Sequence, residues 1–224
     1  MTPIDWRVSV GAATTSAAYE PATNGHAADG ALFICAHGAG GSMSDRATYA
    51  AASEMRRRGL GVVRFNFLYK ERGAGGPDPM PKLMETFAAV VEHAKRELGT
   101  RRPLVIGGRS MGGRAASMMA ADGFAADGLL LLAYPLHPPG RPEQLRDAHL
   151  PRITIPVLCF NGTRDTFCTP ALMERVLKTV KTRWEMHWLE GADHSFHVPK
   201  SSGRNDAAVL EEVGGATAAW LASL

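Results

Sequence analysis

Short apolar runs alternate along this chain with longer segments of helical periodicity. Six runs are predicted to be strands, and most of them are apolar on both sides: ALFICAHG, GVVRFNF, PLVIGG, GLLLLAYP, PVLCFNG and RWEMHWLEG. Strands of this kind belong to a sheet that is covered on both faces. The alternation predicts an α/β fold with a doubly wound, mostly parallel sheet.

Amphipathic helices are predicted between these strands. In PKLMETFAAVVEHAKREL, residues 81–98, apolar side chains recur every three to four positions behind a proline at the start. Further helices are predicted over residues 45–58, 110–121, 170–179 and 206–224.

Two polar, glycine-containing segments are predicted to be loops. Residues 22–30 (ATNGHAADG) form a turn near the start, and residues 71–81 (ERGAGGPDPMP) follow the RFNF strand. Ligands in open α/β sheets bind at the carboxyl ends of the strands. The 71–81 loop leaves such an end, so it is a candidate border of a site; a flexible surface connection is the alternative.

Bulk properties narrow the class of protein. The 224 residues are 45% hydrophobic, which is enough for one core, so residues 1–224 are expected to form one domain. A net charge of +3 without a dense basic block disfavours a nucleic-acid partner. Three cysteines, an odd number, fit a reducing compartment. With no signal peptide and no apolar run that could span a bilayer, a cytoplasmic protein is expected, without a membrane partner.

The glycine-rich stretch VIGGRSMGGRAAS, residues 105–117, could bind a phosphate or present a nucleophile. A P-loop requires Lys and then Ser or Thr after its last glycine, but Arg114 and Ala115 follow here. A dinucleotide fingerprint in HGAGGSM fails as well, because Met43 stands where the third glycine should be. Neither phosphate interpretation fits the residues.

The nucleophile interpretation fits better. Gly108 to Gly112 read G-x-S-x-G, directly after an apolar strand and directly before a helical pattern. This is the context of a nucleophile elbow, where a tight turn exposes the serine at the head of a helix. We therefore predict that Ser110 is a nucleophile.

A serine nucleophile needs a base, and the base needs an orienting acid. In this architecture the chain order is Ser, acid, His. Asp165 follows the PVLCFNG strand and His194 follows the RWEMHWLEG strand, both at the sheet end that carries Ser110. These residues are the predicted acid and base. The weaker alternatives are Asp193 and Glu190 for the acid and His197 for the base.

The developing oxyanion needs hydrogen-bond donors. The N–H of Met111 lies at the helix start, where the helix dipole favours negative charge. A second donor is expected from the loop in FICAHGAGG, and we assign it to the N–H of Ala39. His37 is expected to brace this loop. No metal or organic cofactor is required by this chemistry.

Several motifs together resemble the α/β-hydrolase superfamily: HGAGG, RFNF, GGRSMGGRAAS, YPLHPPGRPEQLR, GTRDTF and GADHSF. More narrowly, they resemble a small group of hydrolases akin to dienelactone hydrolases, which includes testis-expressed proteins and subunits of a chromatin-modifying complex. The resemblance runs from about residue 30 to the C-terminus. It implies esterase chemistry by Ser110, Asp165 and His194. Dienelactone hydrolases proper use a cysteine nucleophile, so Ser110 weighs against their lactone substrate.

Many α/β-hydrolases insert a cap domain between the strands that here end near Pro135 and begin near Pro156. About twenty residues separate these prolines, too few for a helical lid. We therefore expect a minimal α/β-hydrolase fold with an open, shallow site. The leading hypothesis is a serine hydrolase that cleaves a small ester or thioester. The alternative is a non-catalytic binding or scaffold member of the fold.

Overall fold

A computed structural model describes residues 2–23 and 30–224. Its strands are β1 (Ile4–Val10), β2 (Ala13–Glu20), β3 (Leu32–Ala36), β4 (Gly61–Phe65), β5 (Leu104–Arg109), β6 (Gly128–Leu132), β7 (Val157–Gly162) and β8 (Trp184–Leu189). They form one sheet in the order β1-β2-β4-β3-β5-β6-β7-β8. The pairs β1–β2 and β2–β4 are antiparallel, and all other pairs are parallel.

Helices cover both faces of the sheet. They are α1 (Arg46–Arg57), α2 (Leu68–Glu71), α3 (Met80–Leu98), α4 (Met111–Ala121), α5 (Pro170–Leu177) and α6 (Asp206–Leu221), with 3₁₀ turns at Leu150–Arg152 and Lys200–Ser202. One core packs α3, α4 and α5 against the sheet, and a second core packs α1 and α6 against the opposite face. The predicted doubly wound, mostly parallel sheet is confirmed.

Local signals place the helix starts close to the predicted positions. The Asp45 side chain caps α1 by accepting a hydrogen bond from the N–H of Thr48, and Asn205 caps α6 in the same way. Helices α3 and α5 carry proline in their first turn, where the missing N–H costs nothing. All six predicted strands and all five predicted helices are present, with ends that differ by a few residues.

The N-terminal hairpin β1–β2 was not predicted from the sequence. In β1 only alternate positions are buried, and β2 is built largely from Ala, Thr and Ser, so neither strand is a continuous apolar run. A buried ion pair joins the hairpin to the parallel strands, because Arg64 on β4 donates to Glu20 on β2 at 2.8 Å. Of the turn predicted over residues 22–30, residues 24–29 lie outside the described part of the chain.

The connection between β6 and β7 contains no cap domain. Residues 133–156 hold only one short 3₁₀ turn, at Leu150–Arg152. The expected lidless form of the fold is therefore confirmed. Over the described residues, no helix is both long and apolar enough to cross a membrane.

Two glycine-to-alanine changes in helices should have opposite effects on stability. A Cβ at Gly112 would lie 2.7 Å from the carbonyl oxygens of Ala36 and His37, so Gly112→Ala should cost about 1–3 kcal/mol through overpacking. A Cβ at Gly215 in α6 meets nothing within 4 Å, so Gly215→Ala should stabilise by about 0.5–1 kcal/mol. Denaturant unfolding of both variants measures the difference. Equal stability of Gly112→Ala and the parent would contradict the close packing of β3 on α4.

Candidate active site

Ser110 occupies a strained turn between β5 and α4. Its φ of 47° and ψ of −113° lie outside the regions that non-glycine residues normally adopt. Its N–H donates to the carbonyl of Leu132 at 2.9 Å, and its own carbonyl accepts from the N–H of Arg114 at 2.9 Å. Strain of this kind persists only where the surrounding structure holds the residue in place, and it is common at functional sites.

Glycines on both sides of Ser110 let β3 approach this turn. Gly108 has a φ of 142°, and a Cβ there would collide with the backbone of Ala36. Gly112 is also close to the end of β3, since a Cβ there would lie 2.7 Å from Ala36. The sequence pattern G-x-S-x-G is thus a steric requirement, because any larger side chain at either position would separate β3 from the turn.

The structure brings Ser110, His194 and Asp165 into one hydrogen-bonded chain. The Ser110 Oγ lies 2.9 Å from Nε2 of His194, and Nδ1 of the same ring lies 2.8 Å from Oδ2 of Asp165. An ionised carboxylate only accepts hydrogen bonds, so Nδ1 carries the proton and Nε2 is free to accept the serine hydroxyl. Asp165 is 2% exposed, which shields this chain of bonds from competing water.

The Asp165 carboxylate is held by two further donors. The side-chain amide of Asn161 donates to Oδ2 at 3.0 Å, and the N–H of Phe167 donates to Oδ1 at 2.8 Å. Asn161 is itself fixed to both backbone groups of Tyr134. The Phe167 ring also packs on the His194 ring, with 4.4 Å between centroids. Acid and imidazole are therefore held in one orientation.

The alternative acids and base lie in other environments. Asp193 accepts from the N–H groups of Ser195 and His197, so it shapes the turn. His197 is exposed and pairs with Asp206 at 3.0 Å, which raises the pKa of the imidazole. Glu190 is exposed just after β8. In the part of the chain that the structure describes, none of these three side chains is hydrogen-bonded to Ser110 or to the His194 ring.

His37 lies outside the Ser110 chain of bonds and braces the loop after β3. The N–H of Phe67 donates to its Nε2 at 3.2 Å, so Nδ1 carries the proton and donates to the carbonyl of Gly38 at 2.7 Å. Burial lowers the pKa of His37, which keeps the ring neutral. The ring therefore links this loop to the end of β4.

The predicted oxyanion donors both border the cavity that contains Ser110. Met111 begins α4, so its N–H has no partner within the helix. Ala39 also lines the cavity, and the Tyr69 hydroxyl donates to its carbonyl at 2.7 Å. Across residues 2–23 and 30–224, neither N–H donates a hydrogen bond to a protein acceptor, so both are free to bind a ligand oxygen.

Sequence reasoning missed Arg109, the residue before Ser110. Its Nη2 donates to the carbonyl of His194 at 2.9 Å, and the guanidinium lies 5.4 Å from the centroid of the Phe196 ring. Burial lowers the pKa of Arg109, while the charge of Asp45 opposes that shift. Arg109 thus anchors the loop that carries His194. It fills a variable position of the motif, so no sequence signal indicated this contact.

The cavity beside Ser110 has a volume of about 660 Å³, a common size for small-molecule sites. Pro77 belongs to its wall, so the 71–81 loop does border the site. Pro135 and Pro139, from the connection after β6, also line the cavity.

The three cysteines are free and buried. Burial raises the pKa of Cys35 to about 12, and it also raises the pKa of Cys159 and Cys168. Their thiols are therefore protonated and poorly nucleophilic at neutral pH. Cys168 lies near the Asp165 loop, and among the described residues no basic side chain lowers its pKa.

Comparison with known proteins supports the same fold. Solved structures similar to this chain include an α/β serine hydrolase homologue from Coxiella burnetii (TM-score 0.75, 18% identity, 96% of each chain covered). A second is an α/β serine hydrolase without lid from Xanthomonas campestris (TM-score 0.72, 22% identity, 96% of this chain and 91% of that chain covered). A third is a dienelactone hydrolase from Anabaena variabilis (TM-score 0.73, 18% identity, 99% of this chain and 98% of that chain covered). The family described as "Alpha/beta hydrolase domain" matches residues 29–222. This chain is a member of that α/β-hydrolase family.

Proposed function

We propose that this protein is a serine hydrolase of the carboxylesterase or thioesterase type that cleaves small esters through an acyl-enzyme. One observation carries the proposal: a strained serine is hydrogen-bonded through Nε2 of a histidine to a buried carboxylate. This arrangement activates a hydroxyl that is otherwise a weak nucleophile.

The reaction divides into two acyl transfers. As Ser110 Oγ attacks the ester carbonyl, His194 Nε2 takes the hydroxyl proton, and then gives it to the leaving alcohol or thiol. A water molecule next gives its proton to the same nitrogen and attacks the acyl-enzyme, and the proton returns to Ser110 as the acid leaves. Asp165 keeps Nδ1 protonated and stabilises the imidazolium in each half.

Negative charge on the carbonyl oxygen is stabilised by backbone donors in each tetrahedral intermediate. We assign this role to the N–H groups of Met111 and Ala39, two residues that line the same cavity as Ser110. No metal ion or organic cofactor takes part in this mechanism. The three buried thiols fit a reducing compartment, and we propose a cytoplasmic location.

A fluorophosphonate probe should label Ser110 and no other residue, because Ser110 borders the cavity and is hydrogen-bonded to a histidine that a carboxylate orients. Ser117 also contacts a histidine, His149, but it is fully buried and so out of reach of the probe. Labelling should vanish in Ser110→Ala and persist in Ser195→Ala, which removes an exposed hydroxyl next to His194. Peptide mass spectrometry locates the adduct. Folded protein that is not labelled at all would favour the non-catalytic alternative.

Two aspartate-to-asparagine variants separate the proposed acid from its neighbour. Asp165→Asn should lower kcat on the order of 10³–10⁴-fold, because an amide no longer holds the required tautomer of His194. Asp193→Asn should change kcat little, since its amide oxygen can still accept from Ser195 and His197. Steady-state kinetics on one activated ester compares them. A larger loss in Asp193→Asn would identify that residue as the acid.

The missing cap limits the acyl chain length. Each buried methylene contributes about 0.8 kcal/mol, but a lidless cavity can cover only a few. Acetyl and butyryl esters should therefore react at least as well as dodecanoyl esters, and no interfacial activation should appear. The measurement is kcat/KM across acyl lengths, below the aggregation threshold of each ester. A steady increase to long chains would reveal a deep apolar tunnel instead.

A further inference from the structure

Two arginines of the cavity wall have no acidic partner. Arg114 and Arg146 both border the cavity that contains Ser110, and both are half-buried. Neither forms an ion pair with any residue in 2–23 or 30–224. Partly desolvated cations without a counter-charge are costly unless a ligand supplies one.

Arg114 lies one helical turn after Ser110, since its N–H donates to the Ser110 carbonyl. Its Nε is buried and has no hydrogen-bond acceptor among the described residues. A buried donor of this kind is rare in proteins and calls for a partner. Because this atom is enclosed, a ligand would contact the guanidinium through its terminal nitrogens. The side chain thus carries a charged group that no described residue neutralises, close to Ser110.

Arg146 comes from the connection between β6 and β7, where its backbone is tied down. Its N–H donates to the carbonyl of Leu136 at 2.7 Å, and its carbonyl accepts from the Tyr134 hydroxyl at 2.8 Å. Burial and the neighbouring charge of Arg114 lower the pKa of Arg146. The structure thus keeps two like charges near each other, and a bound anion would relieve their repulsion.

The remaining charged groups of the cavity are already engaged. Arg109 donates to His194, and Asp45 caps α1 through Thr48 and also accepts from Ser42. Asp45 is the one carboxylate among the residues of the wall, against three arginines. The side of the cavity near Arg114 and Arg146 therefore carries uncompensated positive charge.

We infer that the ester substrate carries an oxyacid anion, a carboxylate or a phosphate, which Arg114 and Arg146 bind while its ester carbonyl lies at Ser110. The inference rests on the proposed hydrolase function. Guanidinium groups suit this role because their planar donors match the oxygens of both anions. An uncharged ester of the same size leaves the two arginines unpaired.

A binding experiment tests the anion site without turnover. Ser110→Ala protein is titrated in a calorimeter with 4-carboxyphenyl butyrate and with the near-isosteric 4-carbamoylphenyl butyrate. A second pair, monophenyl adipate and its terminal amide, places the anion on the acyl side. In at least one pair the carboxylate should bind about tenfold more tightly, as expected for hydrogen bonds between charged groups. Equal affinities in both pairs overturn the inference.

Kinetics of arginine variants then identify the binding residues. With unmodified protein, kcat/KM should favour the charged member of the pair about tenfold, and this ratio should fall as salt is added. Arg114→Gln and Arg146→Gln should each move the ratio towards one, and lysine at either position should restore part of it. We compare this ratio and not the absolute rates, because a general loss of activity lowers kcat/KM for both esters equally and leaves the ratio unchanged.

Arg101→Gln is the matched control, since it removes an exposed arginine before β5, at the opposite end of the strands. It should keep the full ratio. A ratio that stays unchanged in both cavity variants, or falls equally in Arg101→Gln, overturns the assignment. The kcat/KM of an aryl butyrate with a phosphate on the ring, compared with that of 4-carboxyphenyl butyrate, shows which anion is preferred. Failure of the proposed hydrolase function is separate, because it appears as absent probe labelling of Ser110.

Discussion

The close approach of β3 to the Ser110 turn is the constraint on which the site depends. A serine at positive φ costs about 1–3 kcal/mol, so the surrounding structure must hold it. It is held by a hydrogen bond to Leu132 on β6 and by packing that tolerates only glycine at positions 108 and 112. The same packing places the loop after β3 beside the serine, so one contact positions both the proposed nucleophile and the proposed oxyanion donors.

The parallel order of the strands brings Asp165 and His194 to Ser110. Strands β5, β7 and β8 end at one edge of the sheet, so the loops after them carry Ser110, Asp165 and His194 to one place. Buried polar groups then refine the positions, because Asn161 ties the Asp165 carboxylate to the backbone of Tyr134. A network of this kind is stable only when every member is satisfied, which restricts side chains at the end of β7.

Features that depend on where strands end and on the order of residues along the chain could be predicted from the sequence. The central strands are apolar runs, and the candidate serine, acid and histidine each come directly after one of them, so their common edge could be derived. The β1–β2 hairpin could not, because β1 is buried only at alternate positions and β2 is built largely from small residues. Arg109 and Asn161 were missed for a different reason: no periodicity tells which neighbour a single polar side chain will contact.

In this lidless fold the short connection between β6 and β7 lines the cavity, and under the proposed function it contributes to substrate recognition. In capped relatives of the fold this segment would expand into a lid, whereas here it folds back on the sheet through the Tyr134 and Arg146 contacts. In the same segment, Nε2 of His149 is hydrogen-bonded to the hydroxyl of Ser117 on α4 at 2.8 Å. Burial lowers the pKa of His149 to about 4, so the ring in this bond is neutral at pH 7. The connection is thereby fixed against the helix that begins at the nucleophile. The positive charge that Arg146 contributes to the cavity wall is therefore carried by a segment that is packed against α4.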